Sequence, residues 1–352
     1  MKLSIIVPVY NMAADGKLEY CLDSLVRQTI KDYEIIAVDD CSTDDSYRIL
    51  QTYQQKYPDR FRAVHSDVNQ KQGGAKNIGM DLAKGEWIGF IDSDDWVTED
   101  FYERLIGRGE ETGADMVGCD YHLTSEHSME IGRIVHNNKP QQTGVLDEEK
   151  YRSLILDSGS LVVKVYRREI VIDHPSRFPT GIFYEDNALA NSWMLRARHF
   201  EYIEEPLYYY YQHEDSTVHT ITVKRCEDRM EAGRIMLREA REYGYLEQYR
   251  PELEIGFATL FYVNTLFTYM QGVRPVKSGF VKKLGQEMIE TFPDFQENRY
   301  YKDRIGEEER KLVKMQLAST FRFICFYKLL WGYRNFRKNL RKWMSAKQIS
   351  RN

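Results

Sequence analysis

Apolar and polar positions alternate along the first half of the chain in two distinct rhythms. Leu3–Val9, Tyr33–Asp39, Phe61–His65, Trp87–Ile91 and Met116–Tyr121 are short apolar or aromatic runs with little two-residue alternation, the pattern of strands buried on both faces of a parallel sheet. Between them the spacing changes to that of helices: Leu18, Leu22, Leu25 and Val26 recur on one face, Ile49, Leu50 and Tyr53 follow an Asp44-Asp45-Ser46 start, and Ile78, Leu82 and Ala83 follow Gly73-Gly74. The order β-α-β-α-β-α-β predicts a doubly wound, mostly parallel α/β sheet of Rossmann-like type. Polar residues dominate 124–144, and short apolar segments at Leu161–Tyr166 and Pro206–Tyr211 flank an acidic helix start at Glu185-Asp186. After Ile221 the pattern is almost wholly helical. The expected division is therefore a catalytic domain over 1–220 and a helical C-terminal region over 221–352.

At 352 residues the chain exceeds one average domain, and 42% apolar residues place it among globular proteins. Cys21, Cys41, Cys119, Cys226 and Cys325 are an odd, scattered set with no zinc-finger spacing, which predicts free thiols in a reducing compartment. The first ten residues read as a buried strand and not as a signal peptide, and no apolar run reaches spanning length, because Arg322, Lys328 and Arg334 interrupt the best one. A cytoplasmic protein is expected. Its net charge of −5 hides an asymmetry: from Arg310 onward there are twelve Lys or Arg and no Asp or Glu, leaving about −17 on the preceding residues. Aromatic and aliphatic residues interleave those cations. A helix lying on an anionic, cytoplasmic membrane face, a packed terminal helix with a basic outer side, and a nucleic-acid surface are the readings of that tail, and nucleic acid is the least expected.

In a doubly wound sheet ligands collect at the carboxyl ends of the strands, where Tyr10-Asn11, Asp39-Asp40 and Asp92-Ser93-Asp94-Asp95 fall. Three carboxylates within four residues repel one another unless solvated or neutralised, and their hard oxygens suit Mg²⁺ or Mn²⁺. A solvated acidic turn that caps the helix starting near Thr98 is the alternative.

Ser4-Ile-Ile-Val-Pro-Val-Tyr-Asn11, Val38-Asp-Asp-Cys-Ser-Thr-Asp44, Gly73-Gly-Ala-Lys-Asn-Ile-Gly79 and Gly85-Glu-Trp-Ile-Gly-Phe-Ile-Asp-Ser-Asp-Asp95 stand in that order at predicted strand ends. Together they resemble the family 2 inverting glycosyltransferases of the glycosyltransferase A-type fold, over about the first hundred residues. The resemblance implies that Pro8, Val9 and Tyr10 wall a nucleotide base, usually uracil, and that Asp40 accepts the imide N–H. It implies donor contacts from Asn69, Asp92 and Ser93, and a metal held by Asp94 with Asp92 and Asp95. Lys76 stands where relatives commonly carry Arg, and keeps the charge without the bidentate fork. Glu185-Asp186 matches the family's acidic pair, which assigns Asp186 as catalytic base. The Tyr208–His219 stretch matches the segment that closes over the diphosphate, with His213 as a candidate metal ligand and His219 a weaker one.

For Asp40 an Asx-turn, for Asn69 an ordinary loop position, for Asp186 simple complementation of a helix N-terminus, and for His213 a surface histidine are the structural alternatives. A dehydrogenase is disfavoured because no Gly-x-Gly-x-x-Gly follows the first strand, and a nucleotidyltransferase because Tyr10–Gly16 is not a glycine-rich phosphate loop. The expected activity is metal-dependent, inverting transfer of a sugar from a nucleotide diphosphate, most readily UDP, to a hydroxyl of a glycan or lipid-linked acceptor in surface polysaccharide synthesis. A non-catalytic sugar-nucleotide-binding or scaffold protein of the same fold is the rival.

Overall fold

The computed structural model describes residues 1–130, 132–212 and 221–349, with side chains described as far as 337. β1 (Leu3–Val9) is buried throughout, and α1 (Lys17–Val26) turns Leu18, Leu22 and Leu25 wholly inward. β2 (Tyr33–Asp39), α2 (Ser46–Lys56), β3 (Phe61–His65), α3 (Lys71–Leu82) and β4 (Trp87–Phe90) continue the alternation. β1 pairs in parallel with β2 and β4, and β2 in parallel with β3, with Leu3 opposite both Tyr33 and Trp87. This is the parallel sheet that the unalternating apolar runs require.

Beyond β4 the sheet becomes mixed. β5 (Trp96–Val97), α4 (Phe101–Thr112), β6 (Met116–Thr124), β7 (Arg133–Val135), β8 (Gly144–Val145), α5 (Glu148–Leu156), β9 (Lys164–Arg167), α6 (Arg168–Val171), α7 (Glu185–Arg196) and β10 (His199–Tyr211) follow. The strand order is β3-β2-β1-β4-β9-β6-β10-β5, with β7 on β6 and β8 on β10. β9 lies antiparallel between β4 and β6, and β10 runs parallel to β6.

Two local expectations are corrected. The helix after the acidic turn begins at Phe101 and not at Thr98, because the Thr98 hydroxyl donates to Asp100 and holds the turn open. α3 begins at Lys71, so Gly73 and Gly74, expected to precede the helix, lie inside its first turns. Gly73 is required by packing: a Cβ there would stand 2.2 Å from the Pro179 carbonyl oxygen.

Two compact units are present, 1–220 with 231–253 and 221–230 with 254–352. The remaining elements are α8 (Val223–Glu242), α9 (Tyr245–Gln248), α10 (Arg250–Phe257), a π-helical stretch Ala258–Asn264, α11 (Thr265–Gly272), α12 (Ser278–Thr291), α13 (Tyr301–Arg304), α14 (Glu307–Ala318) and α15 (Thr320–Ile349). In the second unit Phe257 stacks on Phe261 at 4.6 Å, and buried Gln316 ties helices together, accepting from Tyr262 and donating to the Val281 carbonyl. All five cysteines are free. Among the described residues no helix is long and apolar enough to cross a membrane.

Candidate active site

The first three loops at the carboxyl edge of the sheet are bound to one another by short side chains. Asn11, at φ 53°, donates its N–H to the Ser42 hydroxyl and accepts from the Thr43 N–H at 2.8 Å, while Asp44 accepts from Ala13 and, in an Asx turn, from Ser46. Asp39 is taken up by His65 Nδ1 at 2.7 Å and the Ser42 N–H. Turn-making in this segment thus falls to Asp39 and Asp44.

Asp40 is different. It is buried, and its Oδ1 accepts the Gln70 N–H at 2.8 Å, but its Oδ2 is buried with no hydrogen-bond partner. Asn69 donates to the Asp40 carbonyl at 3.0 Å and likewise leaves its own Oδ1 buried and unpartnered. Each such buried acceptor costs free energy unless a donor arrives. Burial pushes the Asp40 carboxyl up, against the opposing pull of the Gln70 and Lys71 N–H groups and the Lys71 charge. Tyr10, 46% exposed, follows the end of β1; Pro8 and Val9 are buried within the strand, so of the three wall residues Tyr10 alone is exposed.

Lys71, which the motifs did not single out, adopts φ 64° at the start of α3 and brings its ammonium 5.4 Å from the Phe183 ring and 6.0 Å from that of Tyr10.

The acidic turn follows β4. Asp92 and Asp94 are half-buried, Ser93 is buried, and Gln72 reaches Asp92 Oδ1 at 3.4 Å. Burial pushes the Asp92 carboxyl up to about 6; Lys76 pulls it down, and Asp94, Glu185 and Asp186 push it further up. Asp95 is not an open ligand: it is 1% exposed, with Oδ2 accepting from the Tyr208 hydroxyl and Oδ1 from the Tyr211 N–H at 2.8 Å. Its carboxyl is pushed up by burial and then by Asp94 and Asp92. Asp95 instead fastens the Tyr208–Tyr211 end of β10 to the acidic turn. His213 and His219, expected beyond that end, lie outside the described residues.

Lys76 does not face an open donor pocket. Its Nζ donates to Glu185 Oε1 at 2.8 Å, and both side chains are almost fully buried. Burial opposes the ammonium, yet Glu185, Asp92 and Asp186 together hold its pKa above the ordinary lysine range. The neighbouring Asn77 clamps the backbone of Phe178 in both directions, donating to its carbonyl at 2.8 Å and accepting its N–H at 3.0 Å. Phe178 in turn packs between Phe90 and Trp193. These contacts, with the space that Gly73 leaves, lay 178–185 against α3 and set the first turn of α7. There Tyr184 takes φ 67°, and Asp186 is half-buried, with Oδ1 held by the Asn187 N–H and side-chain amide at 2.8 and 2.7 Å. One end of the sheet therefore carries the buried, unpartnered acceptors of Asp40 and Asn69, the exposed Tyr10 at the end of β1, two half-buried carboxylates on the β4 turn, and a third carboxylate on α7.

A divalent cation fits part of this set. The donors are hard carboxylate oxygens, and the Asp92 carboxyl is held up by burial, with Asp94, Glu185 and Asp186 adding to it and Lys76 opposing. Among the described residues no three His, Cys, Asp or Glu side chains form a complete cage.

Residues 4–173 match the profile of "Glycosyl transferase family 2". The chain is 31% identical over 219 residues to an uncharacterized glycosyltransferase of Escherichia coli, YibD, spanning 61% of this chain and 62% of that one. It is 32% identical over 259 residues to EpsH of Bacillus subtilis, spanning 72% of this chain and 73% of that one. The crystal structure of S. aureus TarS 1-349 in complex with UDP superposes with a TM-score of 0.69 at 21% identity, over 95% of this chain and 92% of TarS, a likeness of fold.

Proposed function

This chain is a member of glycosyl transferase family 2, and from that premise we propose that it moves a sugar from a UDP-linked donor to a hydroxyl of a glycan or lipid-linked acceptor, with inversion, in surface-polysaccharide synthesis. The observation that carries the donor assignment is the pair of buried, unpartnered acceptors, Asp40 Oδ2 and Asn69 Oδ1. A uracil ring lying on Tyr10 presents its imide N–H to Asp40, whereas cytosine has no proton at that position and leaves the carboxylate unpaired. Asn69 Oδ1 is suited to a ribose hydroxyl. Uridine diphosphate is also what the similarly folded TarS holds.

Asp94 and Asp92 would hold Mn²⁺ or Mg²⁺, with His213 a further candidate, and Asp92 and Ser93 border the ribose. A bound divalent ion stabilises negative charge on the departing diphosphate. Asp186 takes the proton of the acceptor hydroxyl as that oxygen bonds to the anomeric carbon and the bond to UDP breaks, so an α-linked donor gives a β-glycoside. Glu185, neutralised by Lys76, keeps the α7 start in place and lets Asp186 stand as the carboxylate directed at the acceptor side. Domain roles follow: 1–220 carries donor and base, and 221–352 is an appended helical region.

The test is a panel of UDP-sugars with Mn²⁺, measured by UDP release without acceptor and with extracted glycolipid. Release by wild type and its loss in Asp186→Asn supports the reading. Nucleotide binding with no release from any donor would leave a non-catalytic nucleotide-sugar binder.

A further inference from the structure

α15 carries two apolar faces, and only one is used by the fold. Phe323, Ile324 and Tyr327 are buried in the second unit, with Tyr327 stacked on Phe267 at 6.0 Å. On the other side Phe321, Phe326, Leu329, Tyr333 and Phe336 are 46–76% exposed. At 100° per residue these five fall within an arc of about 140°, opposite the buried set. Scattered exposed apolar residues need no explanation, but five large ones on one helix face do. Arg322 lies within the arc, and Lys328 and Arg337 stand at its two edges, all exposed. Arg334, by contrast, is turned away to Glu308 and is not counted.

We propose that this face of α15 docks onto an anionic lipid surface, lying in the plane of the membrane with the aromatic side chains among the acyl chains and the flanking cations at the headgroups. Charge decides the occupant. The face carries Arg322, Lys328 and Arg337, and α15 contains no Asp or Glu, so two copies of the face would repel each other, whereas an anionic leaflet attracts it. Aromatic rings bordered by Lys and Arg are also the composition of helices that lie in the interface. Membrane spanning is not involved, since α15 is too polar for it. The inference does not depend on glycosyl transfer.

The experiment is flotation of the full chain with vesicles of phosphatidylcholine alone or with about one-third phosphatidylglycerol, beside sedimentation without lipid. Wild type should float with the anionic vesicles and much less with the neutral ones. F321S/L329S/F336S should weaken binding by about 100-fold or more, from the loss of three large apolar groups. K328Q/R337Q should weaken it about 10- to 30-fold and remove the preference for anionic lipid, from two cations near the surface. These positions are exposed, so circular dichroism and melting temperature should match wild type, and the second variant guards against misfolding of the first. Absence of wild-type binding at any phosphatidylglycerol content, or undiminished binding by both variants, overturns the proposal. A concentration-dependent dimer that the triple substitution makes monomeric, with no vesicle binding, would assign the face to a second copy.

Discussion

Replacing Asp40 by Asn should lower UDP affinity while stabilising the ligand-free protein, two effects with one cause. The Asn side-chain carbonyl retains the 2.8 Å bond from the Gln70 N–H, so the amide nitrogen takes the place of Oδ2. A donor then meets the imide donor. Hydrogen bonds to charged groups contribute about 1.5–3 kcal/mol, which corresponds to about 10- to 150-fold in the dissociation constant. The same amide would pair with cytosine N3, so CDP should bind the variant more tightly than it binds wild type. In the free protein the Asp40 pKa is raised by burial. A carboxyl raised in the folded state contributes stability at low pH that is lost as pH rises through the folded value, so at pH 7 its charge is a cost. Asp40→Asn removes that cost and should raise the melting temperature without ligand. Titration calorimetry of UDP and CDP, beside a thermal melt, reads all three quantities. UDP affinity within threefold of wild type and no gain for CDP would refute the assignment of Asp40 to the base.

Asp186→Asn should keep UDP affinity and lose transfer by about 10²–10⁴-fold, as for removal of a general base; turnover within tenfold of wild type in a donor-saturated assay would reject that role. Lys76→Met strands Glu185 in the interior and should cost about 3–5 kcal/mol in denaturant titration, much of it recovered by adding Glu185→Gln; an unchanged midpoint would mean the pair is not formed. Burial lowers the Lys164 pKa to about 7, and its Nζ donates to the Ser158 and Ser160 carbonyls at 2.8 and 2.7 Å. Because the unfolded lysine stays protonated to near pH 10, wild type should gain stability relative to Lys164→Met from about pH 7 to 10, by about 1.4 kcal/mol per pH unit; a constant difference across that range would contradict it. Gly73→Ala should displace 178–185 and reduce activity with little change in UDP binding, whereas normal turnover would show that the segment accommodates the methyl group.

The strand ends were legible because a buried parallel sheet requires unbroken apolar runs, and in such a sheet ligands collect at the carboxyl ends. Asp40, Asp92 and Asp94 stand at such ends, whereas Asp186, at the start of α7, was pointed to only by the resemblance of Glu185-Asp186 to the family's acidic pair. What local patterning could not supply was pairing across long separations. Lys76 and Glu185 are 109 residues apart, and nothing in either segment announces that the lysine neutralises the glutamate. Asp95 looked like a third ligand because its neighbours are acidic, but a tyrosine 113 residues later occupies it. The apolar segment Leu161–Tyr166 was visible, but nothing in it shows that Lys164–Arg167 forms an antiparallel strand inserted between two others, since that depends on distant partners. Lys71 was missed because its importance lies in a left-handed backbone, which a lysine seldom adopts.

The most direct test of the central claim is a thermal-shift panel of UDP, GDP, CDP and dTDP, each with Mn²⁺, with Mg²⁺ and with chelator. A ligand at about 100 times its dissociation constant adds roughly 2.7 kcal/mol, several degrees for a chain of this size. The account predicts a metal-dependent shift that is largest with UDP and small with CDP. An equal shift with CDP, or one with GDP alone, would contradict the uracil notch, and no shift with any nucleotide would contradict the donor site itself.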